Sequence, residues 1–268
     1  SMLIKDSMNE LTIRHTFDLM RADNDLVEVR VISGKSIYSG YFKSVEKLIE
    51  ELKRYQTGNI YFVLNEISDA CYSRDQRDFI SERAKVTTGD SDITKRNWLL
   101  IDVDPIRPTG VSSSDEEKNN SKETINKVFA FLRDAGFSAP IVCDSGNGYH
   151  LLYKIDLENT KENTEIIKTF LQVLDMYFSN PNCAIDKVVF NAARITKLYG
   201  TIARKGNDTA ERPHRESKIL RFPDDIKVTP RVLIEKIAEQ YPKPEPKQFN
   251  NNYQSEAFDL DSFISKHN

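Results

Sequence analysis

The sequence has no apolar run that approaches the ~20 residues needed to cross a bilayer, and it has no recognisable secretory signal. It contains only three cysteines, Cys71, Cys143 and Cys183, which are odd in number and far apart. This usage indicates a reducing compartment and excludes a zinc site built on closely spaced cysteines. We therefore expect a cytoplasmic protein that needs no zinc.

The chain also lacks an excess of positive charge. Its formal net charge is -3, so a basic field over the whole protein is excluded. Binding to nucleic acid would need a local patch, and residues 194–221 supply one, although a solvated loop has a similar composition. Its basic residues are Arg194, Lys197, Arg204, Lys205, Arg212, Arg215, Lys218 and Arg221, against the acids Asp208, Glu211 and Glu216.

What is present is a globular composition, with 39% hydrophobic and 29% charged residues in a chain of 268. Residues 96–205 predict an α+β fold, in the strand–helix–strand–strand–helix–strand order of a ferredoxin-like or RRM-like split βαβ unit. We expect strands at 97–105, 140–145, 149–155, 184–189 and 196–201, and helices at 121–135 and 161–178.

Three segments are expected along the chain. Residues 1–95 are predicted to form an N-terminal α/β module, and residues 96–238 the RRM-like module. Residues 239–268 begin with a Pro-rich linker, and an amphipathic helix is predicted at 257–267. This last segment is either the start of a truncated C-terminal region or a disordered tail.

A short apolar strand ends in two acids, Asp102 and Asp104, just before Pro105. Because side chains alternate along a strand, the two carboxylates share one face, opposite the apolar residues. At ~4 Å and an effective dielectric of ~20 they repel each other by roughly 4 kcal/mol. A bound Mg²⁺ or Mn²⁺ would relieve this repulsion, whereas the plainer interpretation is a strand that ends in a polar turn.

A second motif, Ser145-Gly146-Asn147-Gly148-Tyr149-His150, lies between two apolar runs. Asn-Gly there predicts a two-residue hairpin turn, with Ser145 directly opposite His150. Directly opposed residues share a face, so a hydroxyl and an imidazole would lie together as a cradle for phosphate. An ordinary exposed hairpin or a hydrolase fragment would have the same pattern.

A third acid, Asp186, begins or interrupts another apolar strand, and Arg194 and Lys197 follow it. Three carboxylates are the protein part of a two-metal phosphoryl-transfer site, and nearby cations suit a triphosphate or a nucleic-acid backbone. Asp186 alone would equally fit an acid at a strand edge.

The three motifs occur in one order: Asp-x-Asp, then Ser-Gly-x-Gly-x-His, then a lone Asp followed by Arg-x-x-Lys-x-x-Gly-Thr. Together they resemble motifs I, II and III of the archaeo-eukaryotic primase (AEP) superfamily, within it the bacterial, phage and plasmid primase-polymerases. The resemblance covers roughly residues 83–222. It implies the AEP primase fold, with the RRM-like module packed against the N-terminal module and the site in the cleft.

The resemblance also implies roles for individual residues. Asp102, Asp104 and Asp186 would be catalytic and bind two divalent ions, Mg²⁺ or Mn²⁺. Ser145, Gly146 and His150 would bind the nucleotide phosphates, and Arg194 and Lys197 the nucleotide or the primer-template. Nucleic acid would also contact Arg204, Lys205, Arg212, His214 and Arg215.

The implied activity is nucleotidyl transfer that synthesises or extends primers on single-stranded DNA, from NTPs or dNTPs. Similar domains serve phage or plasmid replication, repair and CRISPR-associated systems, and longer relatives continue into an accessory or helicase domain. The zinc site of many archaeal and eukaryotic relatives is not expected here. The alternatives are a non-catalytic RRM-like nucleic-acid-binding module, a metal-dependent nuclease and a phosphohydrolase.

Overall fold

Two larger antiparallel sheets, one short two-stranded antiparallel ladder and five α-helices organise the computed structural model, which describes residues 8–243. The expected helix at 257–267 and most of the expected linker lie outside the described residues. The elements are α1 (Glu10–Met20), β1 (Val27–Ser33), β2 (Ser36–Phe42), α2 (Val45–Leu52), β3 (Asn59–Val63), β4 (Glu66–Ile67), β5 (Ile93–Pro105), α3 (Asp115–Asp134), β6 (Ile141–Asp144), β7 (Tyr149–Glu158), α4 (Lys161–Phe178), β8 (Cys183–Ile185), β9 (Ile195–Lys197), β10 (Ile202–Ala203), β11 (Arg215–Glu216), β12 (Lys218–Arg221) and α5 (Arg231–Ala238). The expected α+β class is confirmed.

The first sheet has the strand order β2-β1-β3-β9. Its helices begin at polar caps: the Asn9 side chain accepts a hydrogen bond from Thr12 N, and the Ser44 side chain accepts one from Lys47 N. Such caps satisfy backbone N–H groups that have no partner within the helix. The apolar faces of α1 and α2 are buried, with Phe17 and Leu48 each 1% exposed.

The second sheet has the order β12-β6-β7-β5-β4, and β8 also pairs with β5. Helix α3 connects β5 to β6, and α4 connects β7 to β8. Every strand pair in this sheet is antiparallel. Strand β5 is central, because it pairs with β7 on one edge and with β4 and β8 on the other.

The two sheets exchange strands across the boundary expected between residues 95 and 96. Strand β4 comes from the N-terminal segment and joins the second sheet, whereas β9 comes from the later segment and pairs with β3. A division at residue 95 also runs through β5. One hydrophobic core joins both sheets and includes Phe62, Trp98 and Leu132.

Helix α3 starts six residues before the helix expected at 121–135. The polar run before residue 121 reads as loop, but Ser114 and Glu117 form a capping box that starts the helix there. Ser114 Oγ accepts from Glu117 N at 3.2 Å, and the Glu117 carboxylate accepts from Ser114 N at 2.8 Å. Reciprocal capping satisfies two backbone donors, so the helix starts at Asp115, earlier in the chain than expected.

Two strand predictions were too long at their C-terminal ends. The strand expected at 184–189 is Cys183–Ile185, and Asp186 Oδ1 accepts from Val188 N at 3.0 Å in a turn that ends it. The strand expected at 196–201 is Ile195–Lys197. It ends before Gly200, whose φ of +97° is incompatible with continued pairing.

Candidate functional site

A cleft of about 500 Å³ is lined by residues from both sheets. It gathers nine of the residues expected to form a site, although they are distant in sequence. These are Asp102, Asp104, Ser145, His150, Asp186, Arg194, Lys197, Arg204 and Lys205.

The carboxylate pair lies at the C-terminal end of β5, just before Pro105. Its alternation is as predicted: Ile101 and Val103 are fully buried on the opposite face, while Asp102 and Asp104 line the cleft. Burial, and then the charge of Asp102, raise the pKa of Asp104 to about 6. The two carboxylates therefore repel each other.

Asp186 is brought beside this pair by the pairing of β8 with the end of β5. Its backbone N donates to Asp102 O at 2.9 Å, so the two residues are in direct contact. Among residues 8–243, however, no group of three or more His, Cys, Asp or Glu side chains lies in an arrangement that would hold a metal. Asp186 as a third metal ligand beside Asp102 and Asp104 therefore stays a prediction.

Two carboxylates of this site do fit a divalent cation. Asp102 Oδ1 is buried and has no hydrogen-bond partner in the described part of the chain. Its contact with His150 Nε2 is long, at 3.4 Å. An unsatisfied oxygen beside a second, repelled carboxylate is the kind of hard donor pair that Mg²⁺ or Mn²⁺ prefers.

His150 lies on β7 directly opposite Asp102. Its Nδ1 is 2.6 Å from the Tyr199 hydroxyl, so one ring nitrogen faces Tyr199 and the other faces the carboxylate. Burial lowers the pKa of His150, but the carboxylates of Asp102, Asp104 and Asp144 together outweigh burial, and the net direction is upward. The imidazole is thus held between the Tyr199 hydroxyl and the carboxylate pair.

The register of the hairpin differs from the prediction. Tyr149 pairs with Asp144 and His150 with Cys143, and Ser145 N donates to Gly148 O at 3.1 Å. The turn residues are therefore Gly146 and Asn147, with Gly146 at φ +97°, as a turn with glycine first requires. The shift is two residues, so Ser145 still faces the same side as His150 and lines the cleft.

The opposite wall of the cleft holds a buried lysine. Lys197 Nζ donates to Ile202 O at 2.7 Å and to Asn59 Oδ1 at 3.2 Å, and it lies 5.3 Å from the centre of the Tyr61 ring. Burial, and then the charge of Arg204, lower the pKa of Lys197 to about 7. No carboxylate of residues 8–243 forms an ion pair with it, so an anion entering the cleft would be its first charged partner.

Arg194 and Arg204 are anchored to backbone at the same wall. Arg194 donates to Asn191 Oδ1 and to Val188 O, both at 2.9 Å, and so braces the loop that follows Asp186. Arg204 Nη1 donates to Gly58 O at 3.0 Å. Both arginines line the cleft with fixed orientations.

Four of the expected site residues do not line the cleft. Gly146 packs against Ala203, which a Cβ at this position would overlap. Arg212 pairs with Glu117 at 2.8 Å, and Arg215 pairs with Asp115 at 3.0 Å. His214 Nε2 is bound to the Gly206 carbonyl at 2.8 Å. The two arginines brace the start of α3, because their charges are matched by its carboxylates.

Several cleft residues were missed by the sequence analysis. Asn59 and Tyr61 come from β3, and only the pairing of β3 with β9 brings them to Lys197. Asn147 and Arg107 also line the cleft. Arg107 had a usable signal, since it is a basic residue three positions after Asp104 and lies between two prolines.

The overall fold is AEP-like. A solved structure with this fold is the AEP domain of the primase-polymerase (PrimPol) of cyanophage S-2L, at a TM-score of 0.51 and 12% identity, covering 88% of this chain and 100% of that one. Identity this low shows a likeness of fold alone. No protein-family model and no curated protein matches the sequence. In the described residues, no helix is both long and apolar enough to cross a membrane.

Proposed function

We propose that this chain is a nucleotidyltransferase of the primase-polymerase type, which adds nucleotides along a single-stranded DNA template. The observation that supports this most is one cleft that joins an Asp102–Asp104 pair to Lys197, a buried lysine with no carboxylate partner among residues 8–243. Acids that suit a metal and cations that suit phosphates are both needed for transfer from a nucleoside triphosphate.

The fold is consistent with the same proposal. The strand order β8-β5-β7-β6, with α3 and α4 as crossovers, is that of a split βαβ unit, and we assign this part as the RRM-like catalytic module. The phage domain of similar fold is a primase-polymerase. The three cysteines are free and buried, in keeping with the proposed cytoplasmic location.

In the proposed reaction a primer 3′-hydroxyl loses its proton to solvent and attacks the α-phosphate of the incoming NTP or dNTP, and the bond from the α-phosphorus to the bridging oxygen breaks so that pyrophosphate leaves. Asp102 and Asp104 would hold divalent ions, with Asp186 approaching from the end of β8. Bound Mg²⁺ or Mn²⁺ would stabilise the attacking and leaving oxygens. His150 and Ser145 would orient the phosphates, and Lys197 would balance their charge.

The test is primer synthesis and extension on single-stranded DNA, with NTP and dNTP pools and with or without Mg²⁺ or Mn²⁺. We expect metal-dependent products from the wild type. Asp102→Ala should lower the rate by about 100-fold or more without unfolding the protein. Asp225→Ala changes an exposed acid outside the cleft and should have wild-type activity. Wild-type extension by Asp102→Ala would refute the assignment.

The same assay separates the alternatives. A nuclease would shorten the template and would not need nucleoside triphosphates. A non-catalytic RRM-like module would bind single strands by aromatic stacking on the open sheet. The cleft face of β5 and β7 instead presents Asp102, Asp104 and His150, and acids there repel a phosphate backbone unless a cation intervenes.

A further inference from the structure

Arg107 lies on the loop that leaves β5, directly after the carboxylate pair, and lines the cleft. Its Nε donates to Val111 O at 2.8 Å, and its Nη1 donates to Pro105 O at 3.3 Å. Pro105 has a fixed φ, and Pro108 restricts the backbone of Arg107 to extended conformations. With its side chain 8% exposed, this guanidinium is held in one place before any ligand binds.

The charge of Arg107 is not used in a hydrogen-bonded ion pair. Its nearest carboxylate is Asp104, and Nη1 lies 3.7 Å from Oδ2, beyond hydrogen-bond distance. Within residues 8–243, its Nη2 atom makes no hydrogen bond. Arg212, by contrast, donates to Glu117 at 2.8 Å. Arg107 therefore has N–H groups on Nη2 that can donate to a ligand in the cleft, and its charge is not neutralised by a hydrogen-bonded carboxylate.

A second cation approaches the same side of the cleft. The Lys205 carbonyl accepts from Ser112 Oγ at 2.8 Å, which ties Lys205 to the loop that holds Arg107. Both residues line the cleft, and both charges act on Asp104. Lys197 and Arg204 form the other cationic group, near Asn59. A polyanion in the cleft would thus meet fixed positive charge beside Asp104 as well as at Lys197.

We propose that Arg107 is a substrate-binding residue that donates to the triphosphate of the incoming nucleotide, an inference that rests on the proposed nucleotidyl transfer. A planar guanidinium with free N–H groups matches phosphate oxygens better than a point charge does. Its position beside Asp104 puts it where the triphosphate would reach the carboxylate pair.

The experiment measures dissociation constants for GTP, dGTP, GMP and dGMP by calorimetry in Mg²⁺, using Arg107→Gln and Arg107→Lys. Loss of a charge-assisted hydrogen bond predicts that Arg107→Gln weakens triphosphate binding by about 10-fold to 100-fold. Monophosphate binding should change much less, and Arg107→Lys should recover part of the loss. Arg83→Gln, an exposed arginine outside the cleft, is the matched control and should bind as the wild type does.

A purely structural role for Arg107 predicts a different result. If the residue only anchors its loop, Arg107→Gln will weaken mono- and triphosphate binding equally, and the proposal is overturned. Unchanged triphosphate binding also overturns it, while leaving nucleotidyl transfer intact if the wild type binds and extends. A wild type that binds neither GTP nor dGTP overturns both proposals. Melting temperatures without ligand identify a variant that has not folded, and Arg107→Lys then carries the comparison.

Discussion

Replacing Asp104 by Asn should stabilise the metal-free protein at pH 8, because it removes a carboxylate whose charge is disfavoured by partial burial and by the neighbouring Asp102. The pKa of Asp104 is raised from 3.8 to about 6 by burial and by Asp102. A carboxyl with a higher pKa in the folded state destabilises the fold when ionised, so the cost is full above about pH 6 and absent below about pH 4. A shift of about two units in the pKa of Asp104 corresponds to about 3 kcal/mol in the free energy of unfolding. Since the side chain is 48% exposed, solvent screening reduces this, and we expect about 1 kcal/mol.

The measurement is thermal unfolding in EDTA at pH 8 and pH 4. Asp104→Asn should raise the melting temperature by about 2–4 °C at pH 8 and leave it unchanged at pH 4. Mg²⁺ or Mn²⁺ should then stabilise the wild type more than the variant. Asp225→Asn, an exposed acid, controls for the loss of one charge. An equal gain at both pH values, or a loss at pH 8, would refute the raised pKa of Asp104.

Three further predictions concern the hairpin between β6 and β7 and the buried lysine of the cleft. Lys118 Nζ lies 2.6 Å from both carboxylate oxygens of Asp144 in a largely buried pair, so Lys118→Met should cost about 3 kcal/mol in urea unfolding; a cost near zero would contradict this. Gly146→Ala should cost about 1–3 kcal/mol more than Gly110→Ala, because both glycines have positive φ but only Gly146 is crowded; equal costs would count against the packing. Lys197 has a pKa of about 7, so the folded state disfavours its proton and wild-type stability should rise from about pH 7 to 10. Unfolding measured across this pH range should show no such rise in stability for Lys197→Met. If the variant gains stability as the wild type does, Lys197 is not the source of the rise.

In the hairpin between β6 and β7, the local sequence pattern predicts the turn but not its register. Its glycines predict a tight turn between β6 and β7, and the turn is there. The register could not be read from the sequence, because Gly146-Asn147 and Asn147-Gly148 are both good two-residue turns. The neighbours decide between them: Gly146 must lie against Ala203, where no Cβ fits.

The basic segment at residues 194–221 has a second property that the sequence does not predict, namely which of its cations are neutralised by carboxylates. Composition predicts one basic patch over residues 194–221, and the family resemblance implies that Arg204, Lys205, Arg212 and Arg215 within it contact nucleic acid. In the fold Arg212 and Arg215 meet carboxylates at the start of α3, whereas Arg204 and Lys205 line the cleft. A charge count does not distinguish them, because the acids that neutralise two of the arginines lie about a hundred positions earlier.

The sequence by itself determined the local features of this protein: the mixed α+β class, the alternation that puts Asp102 and Asp104 on one face of β5, and the tight turn that follows β6. These depend on periodicity and turn chemistry, which act over a few residues. Only the tertiary structure decided which side chains share the cleft. The pairing of β9 with β3 brings Lys197 to Asn59, and the pairing of β8 with β5 brings Asp186 to Asp102. Such contacts depend on long-range strand pairing and on the burial it creates, which local patterns do not encode.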